Sequence, residues 1–406
     1  MARRKPQHVL SHFTVLDLTE YLSGPMLTRL MAEMGAEVIK IEPPGGDKTR
    51  QTPFIKSGRS GYNVQQNRGK KSICLDIKTA AGLTIVKDLL PKVDVMVENF
   101  SPGVIGRLGL SYKTVKSINP AIVMCSISSF GQTGPLASKV GFDFIAASYA
   151  GVVNTMGFPD GPPVMPGLSL GDSLAAITGL GAITAALLYR ERTGRGQHLD
   201  ISLLDAYFQC FDLAVQSISA SGGAWKPVRN GIRTAHMPPI GLFKSDRHYI
   251  CLMAQKDHLW ARLCAAMGKP ELAADPRFAT TAKRTENGAA VYEIVGEWFA
   301  STPEDQALRR LEEHRVPVAP VLSIEEAMNH PHLRERGTVR KVSDRIMGEF
   351  QIPGSAYRFS EFPEDLPLEA PLLGEHNVEI LREYLGYSDA RIGELEAQGV
   401  LRRAPI

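Results

Sequence analysis

Asp172 stands where a glycine-marked segment, Gly167-Leu168-Ser169-Leu170-Gly171, runs into a long apolar stretch. That stretch, Leu174–Tyr189, closes on Arg190-Glu191-Arg192-Thr193-Gly194 and predicts a helix. A carboxylate at a helix start lies among unpaired backbone N–H groups and at the positive end of the helix dipole. Both favour the ionised form. Ionised and held still, Asp172 can cap its helix or attack an electrophile. Position alone favours an ordinary cap, the role in which Asp is strongly preferred at a helix start. A second chemical feature is the basic run Arg68, Lys70 and Lys71, which reads either as a solvated face or as a site for phosphates.

Composition narrows the classes. The 406 residues are long for one core and predict two domains. A net charge of +3 gives no argument for nucleic acid and is compatible with a small anionic ligand. Cys74, Cys125, Cys210, Cys251 and Cys264 are scattered, never as C-x-x-C, which argues against a disulfide framework and a zinc site. The basic start, Met1-Ala2-Arg3-Arg4-Lys5-Pro6, is followed by no apolar run of the secretory kind, so the cytoplasm is the expected location. Leu174–Tyr189 is a turn or more too short to span a membrane and reads as a buried helix. Its small residues Ala175, Gly179, Ala182 and Ala186 form a stripe that admits a close neighbour.

These residues need a frame. Phe13–Leu18 reads as a strand, Pro25–Met34 as a helix closed by Gly35, and Ala36–Glu42 as a second strand. This β-α-β order predicts a parallel, doubly wound, Rossmann-like sheet. Further strands are predicted at Ser72–Leu75, Asp94–Val97 and Ala121–Ser126, with a helix at Ala81–Leu90. The first turn, Leu22-Ser23-Gly24-Pro25, lacks the G-x-G-x-x-G of a dinucleotide site, and no P-loop motif occurs, so dehydrogenase and nucleotide-triphosphatase readings fall away. The large α/β domain is expected over 1–210, a linker over 211–240, a small domain over 241–330, and a return to the large domain over 331–406. In the small domain Tyr249–Met253 and Val316–Leu322 read as strands, and Asp257–Met267, Ala289–Ala300 and Pro303–His314 as helices. Ser301 and Glu304 have capping-box spacing. Helices are predicted again at Asn377–Leu385 and Asp389–Glu396.

The chain resembles the family III CoA-transferases, the group of formyl-CoA:oxalate and carnitine CoA-transferases. The resemblance rests on Gly157-Phe158-Pro159-Asp160-Gly161, Gly171-Asp172-Ser173, Arg192-Thr193-Gly194-Arg195-Gly196-Gln197, and Asp200-Ile201-Ser202. Ser23-Gly24-Pro25, Asn67-Arg68-Gly69-Lys70-Lys71-Ser72 and Val97-Glu98-Asn99-Phe100-Ser101-Pro102-Gly103 also fit. It implies that Asp172 is a covalent nucleophile moving CoA from an acyl-CoA to a free carboxylic acid. It implies acyl-CoA as substrate, no permanently bound cofactor and no metal. Contacts to CoA are implied at Tyr21, Leu22, Ser23, Leu75, Lys78, Asn99, Phe100, Val104 and Arg107, with Arg68 as a further cation. The family's architecture implies an inserted small domain and an interlocked homodimer.

Two departures bear on activity. Leu22 stands where the formyl-CoA branch has Gln, and the region of His236 lacks that branch's glycine-rich lid, which weighs against oxalate or formate. The related α-methylacyl-CoA racemases share the Asp but use the His of a Gly-His-Asp motif as a second acid/base. Here the motif reads Gly141-Phe142-Asp143, and phenylalanine cannot shuttle a proton. A racemase and a non-catalytic acyl-CoA-binding protein are the competing expectations.

Overall fold

The computed structural model describes residues 8–404 apart from 235, 364, 365 and 367. The basic start lies outside the described residues. Two compact units divide the chain: Met1–Val152, Pro166–Leu213 and Arg336–Ile406 form the first; Val153–Met165 and Ala214–Glu335 form the second.

The first unit is built on six parallel strands: β1 Thr14–Asp17, β2 Glu37–Glu42, β3 Lys70–Cys74, β4 Val95–Glu98, β5 Val123–Ser128 and β6 His198–Ser202. Their spatial order is β3-β2-β1-β4-β5-β6, with Val15 opposite Val38 on one side and Val95 on the other. Val15, Leu16, Ile39, Ile73, Met96 and Cys125 are all buried. A parallel sheet covered on both faces needs apolar residues at successive positions, and this is what the strand sequences supply. The expected parallel α/β frame is therefore present. β6 had no strand signal in the sequence, because His198-Leu199-Asp200-Ile201-Ser202 mixes charge into a short edge strand.

Helix α1, Ser23–Glu33, follows β1, and α2, Ala80–Leu89, follows β3. Next come α3, Asp143–Tyr149, the long α4, Leu170–Thr193, and α5, Leu203–Phe208. At 24 residues α4 is long enough to cross a membrane, which corrects the shorter span expected from the sequence. It is instead a core helix of the first unit: Ala175, Ala176, Gly179, Ile183 and Ala186 are buried. A Cβ on Gly179 would lie 2.5 Å from Leu27 Cδ1 of α1, so the small-residue stripe sets how near the two helices come. The helix stops at Gly194, whose φ of 70° supplies the left-handed cap. C-terminal helices Asn377–Leu385 and Asp389–Ala397 add Ile380, Leu381, Ile392 and Leu395 to the core against β1–β3.

The second unit holds a three-stranded antiparallel sheet, Val318–Pro320, Tyr249–Met253 and Ile240–Lys244, against helices Asp257–Met267, Gly288–Ser301 and Glu304–Glu313. Trp260, Phe278, Phe299 and Phe243 fill its core. Three expectations are corrected here. Residues 153–165 join this unit because Arg229 donates to the carbonyls of Phe158, Pro159 and Gly161, and Gly231 N–H to Gly157 O. The span read as a linker contains a helix, Ala214–Ala220. No capping box forms at Ser301, whose hydroxyl turns back to Glu297 O. The carboxylate of Glu304 is taken by Ser245 and His248 instead.

Candidate active site

A cavity of about 270 Å³ opens at the C-terminal ends of β1, β4 and β5. Strand order reverses between β1 and β4, and crevices at such switch points are where open parallel sheets bind ligands. Tyr21 and Ser23 reach it from the β1–α1 turn, Asn99 and Phe100 from the end of β4, Ser128 from β5, and Asp143 and Asp172 from their helices.

Asp172 is the third residue of α4 and not its cap; Ser169 holds the cap position. Its main-chain N–H donates to Asp143 Oδ1 at 2.9 Å, which ties off one otherwise orphan donor of the helix start. Asp143 is buried and accepts a second bond, at 2.8 Å, from the hydroxyl of Tyr207. Ser23, the first residue of α1, lies beside the Asp172 carboxylate, and its hydroxyl and backbone N–H act to lower the pKa of that group. So the helix terminus that faces this carboxylate belongs to α1 as well as to α4. The ionised form is nonetheless less favoured than the sequence implied: burial and the neighbouring Asp143 charge raise the pKa to about 6, against the lowering effect of Ser23. Desolvation and a like charge outweigh the helix-end donors.

The turn that carries Tyr21 and Ser23 is pinned from beneath. Asp17 accepts from Thr19 N–H at 2.9 Å, from the Thr28 hydroxyl at 2.7 Å and from Lys70 Nζ at 3.0 Å. Lys40 Nζ donates to Thr19 O at 2.6 Å and pairs with Asp47 at 2.9 Å. Burial alone would raise the Asp17 pKa, but Lys70 and Lys40 bring it down to about 2. Asn99 clamps the same turn, accepting from Glu20 N–H at 2.9 Å and donating to Glu20 O at 2.8 Å. Tyr21 is held at φ 68°, a left-handed conformation that costs a non-glycine residue about 1 kcal/mol or more. The outlier lies at the cavity wall, with Lys48 Nζ 5.2 Å from the Tyr21 ring centroid.

Of the residues singled out in the sequence, Tyr21, Ser23, Asn99, Phe100 and Asp172 come together in this cavity. Val104 and Arg107 follow on a helical turn, Val104–Arg107, with Arg107 exposed. Lys78 is exposed beyond β3, and Leu75 is buried in the core, so its side chain is packing. Arg68 is not at the cavity: its guanidinium is buried against Glu33 of α1, and burial lowers its pKa to about 10. Nor do its neighbours form a free basic face, since Lys70 pairs with Asp17 and Lys71 with Glu37 and Glu379. Phe142 caps α3 and lines the cavity with its ring edge-on to Tyr21, 6.4 Å between centroids. His236 belongs to the second unit and is not among the lining residues.

Sequence reasoning missed Asp143 as a partner of Asp172, because only the fold brings the two helix starts together. It missed Tyr207, the cavity lysines Lys48 and Lys139, and Tyr62, whose phenol is raised to about 12 by burial and by the Asp172 charge. Ser128 Oγ is buried at the cavity wall with no partner among the described residues. Among the described residues no group of His, Cys, Asp or Glu side chains is arranged to hold a metal ion.

An α/β unit with a buried carboxylate at its switch-point cavity defines the class. Residues 10–377 match the model of CoA-transferase family III, and the chain belongs to that family. It is a CoA-transferase by this membership and by its relatives. It is 35% identical over 405 residues to the succinyl-CoA–D-citramalate CoA-transferase of Chloroflexus aurantiacus, covering 99% of this chain and 100% of the relative. It is 34% identical to the succinyl-CoA:glutarate CoA-transferase of Homo sapiens, covering 95% and 88%. Among solved structures a CAIB/BAIF family protein from Brucella suis superposes with a TM-score of 0.82 at 32% identity, covering 93% of this chain and 100% of that one.

Proposed function

We propose that the enzyme moves CoA between carboxylic acids through covalent intermediates on Asp172. An Asp172 oxygen attacks the thioester carbonyl; the C–O bond forms, the C–S bond breaks, and a mixed anhydride and CoA thiolate result. The thiolate then attacks Asp172 Cγ, releasing the donor acid as carboxylate and leaving an aspartyl-CoA thioester. The acceptor carboxylate attacks the same carbon and expels the thiolate, which takes the acceptor acyl group and frees Asp172. No net proton is consumed. Each tetrahedral step develops an oxyanion, and Ser23, beside the Asp172 carboxylate, is the proposed source of N–H and O–H donors to it.

The observation that carries this reading is the placement of the Asp172 carboxylate. It faces a cavity, lies beside Ser23 at the start of α1, and is immobilised through its own main chain by Asp143. Phe142 at the cavity offers no acid or base, which weighs against the racemase. The named relatives carry succinyl-CoA, citramalate and glutarate in their names, so small dicarboxylic acids are the proposed acids. Tyr21, Ser23, Asn99, Phe100, Val104 and Arg107 are the proposed contacts to CoA. A homodimer of interlocked chains in the cytoplasm completes the reading. Large apolar side chains left exposed on the first unit, among them Ile177 and Leu188 of α4 and Phe208 of α5, suit burial by a second copy.

The test is to incubate the enzyme with succinyl-CoA, trap with hydroxylamine or borohydride, and map the modified peptide by mass spectrometry. Modification at Asp172, and its loss in Asp172→Ala, is the expected result. Wild-type turnover in Asp172→Ala refutes the nucleophile.

A further inference from the structure

The second unit carries a cavity of about 420 Å³ of its own, lined by Phe158, Val228, Arg229, Ile232, Arg233 and Tyr292 among others. Among the described residues no aspartate or glutamate lines it. Arg229 spends its donors on neutral acceptors: Asn154 Oδ1 at 3.3 Å and the carbonyls of Phe158, Pro159 and Gly161 at 3.1, 3.3 and 2.8 Å. None of these hydrogen-bond partners carries a charge. Arg233 lies with its guanidinium carbon 5.1 Å from the centroid of the Tyr292 ring. Neither guanidinium makes an ion pair among the described residues, although arginines elsewhere in this unit, such as Arg277 and Arg284, do.

The Arg233 side chain is also prepared for a ligand. Its main chain forms a β-bridge with Gly241, and Leu242 N–H donates to Ile232 O at 2.7 Å. A Cβ on Gly241 would stand 3.3 Å from Arg233 Cα and 2.7 Å from Ile232 O, so the glycine permits this close approach. The Tyr292 hydroxyl is fixed by the carbonyls of Thr234 and Ile240, each at 2.8 Å. The guanidinium thus rests on a rigid ring, and its in-plane N–H donors remain for a bidentate acceptor. Val228, Ile232 and Phe158 give apolar walls beside it.

We propose that this cavity binds a carboxylate of a small dicarboxylic acid, with Arg233 as the bidentate donor and Arg229 as a second positive charge in the same lining. The planar fork suits a bidentate oxyanion, and the apolar walls of Phe158, Val228 and Ile232 suit an aliphatic carboxylate better than a hydrated phosphate. That the bound acid is a partner in CoA transfer rests on the reading above; the binding itself does not.

Glutarate is titrated calorimetrically into the full-length wild type, Arg233→Lys and Arg233→Met, with butyrate and inorganic phosphate as comparison ligands. Glutarate should bind the wild type better than either comparison ligand. Its affinity should fall roughly ten- to a hundredfold in Arg233→Met, with Arg233→Lys between. Unchanged melting temperatures would show the exposed substitutions leave the fold intact. In turnover assays the KM for the acid should rise in the same order. Equal glutarate affinity in wild type and Arg233→Met overturns the site, as does phosphate binding as tightly as glutarate or butyrate matching glutarate. Wild type that binds glutarate through Arg233 but transfers no CoA would sink the transferase reading and leave this site standing.

Discussion

Asp143 Oδ1 accepts the main-chain N–H of Asp172 at 2.9 Å, so a second, buried carboxylate lies directly behind the one that faces the cavity. The arrangement fixes the backbone of Asp172 and raises the pKa of its side chain.

The first consequence is a pH limb. With the Asp172 pKa raised to about 6 by burial and by Asp143, kcat/KM for the acyl-CoA donor should fall tenfold per unit below that pH. Replacing Asp143 by Asn removes the like charge while keeping a side-chain oxygen for the Asp172 N–H. The limb should then shift to lower pH. A pH profile of Asp143→Asn that coincides with the wild type would disprove the electrostatic coupling.

Stability should respond with the opposite sign to activity. A carboxyl whose folded pKa is raised contributes stability that is fully present below its unfolded pKa and is lost as pH rises through the folded value. For Asp172 that window runs from about 4 to about 6. At pH 7 Asp172→Asn should therefore be more stable than the wild type, by on the order of 2 kcal/mol, while transfer is abolished. Denaturant melts at pH 7 and pH 4 check this; the gain should vanish at the lower pH.

Gly171 is where the site admits no side chain. A Cβ there would lie 2.2 Å from Tyr207 Cε2 and 2.6 Å from Asp143 Oδ1. Gly171→Ala should displace one of the two groups that hold Asp172, at a cost of about 1–3 kcal/mol. Transfer should fall by at least a hundredfold in a protein that still folds, as read by circular dichroism and a steady-state assay. Near-normal turnover would show that the Asp143–Tyr207 support is dispensable.

Phe142 sets a test against the isomerase. A chiral 2-methylacyl-CoA incubated with the enzyme in deuterated water should gain negligible deuterium at the α-carbon, measured by mass spectrometry. Exchange faster than any transfer would reverse the assignment.

If two chains interlock, they cannot part without partial unfolding. Native mass spectrometry at nanomolar concentration should then show dimer alone. Differently tagged preparations, mixed under native conditions, should form almost no heterodimer over hours. Rapid exchange, or an active monomer, contradicts interlocking.

Local sequence alone determined a good deal. The β-α-β run from Phe13 to Glu42, its apolar strands and Gly35 specify a parallel sheet, because period and punctuation are local properties. The stripe Ala175, Gly179, Ala182 and Ala186 announced a helix meant for close packing, and the motifs around Asp172 carried the resemblance to the family. What the sequence could not supply was anything set by contacts between distant residues. Arg68, Lys70 and Lys71 look like a free basic face, yet Glu33, Asp17 and Glu37 claim them once α1 and β1–β3 are assembled. Asp172 reads as ionised by its own helix, whereas burial and a carboxylate 29 residues away decide its pKa. Charge pairing and desolvation act through space, and only the tertiary structure decides which groups share a space.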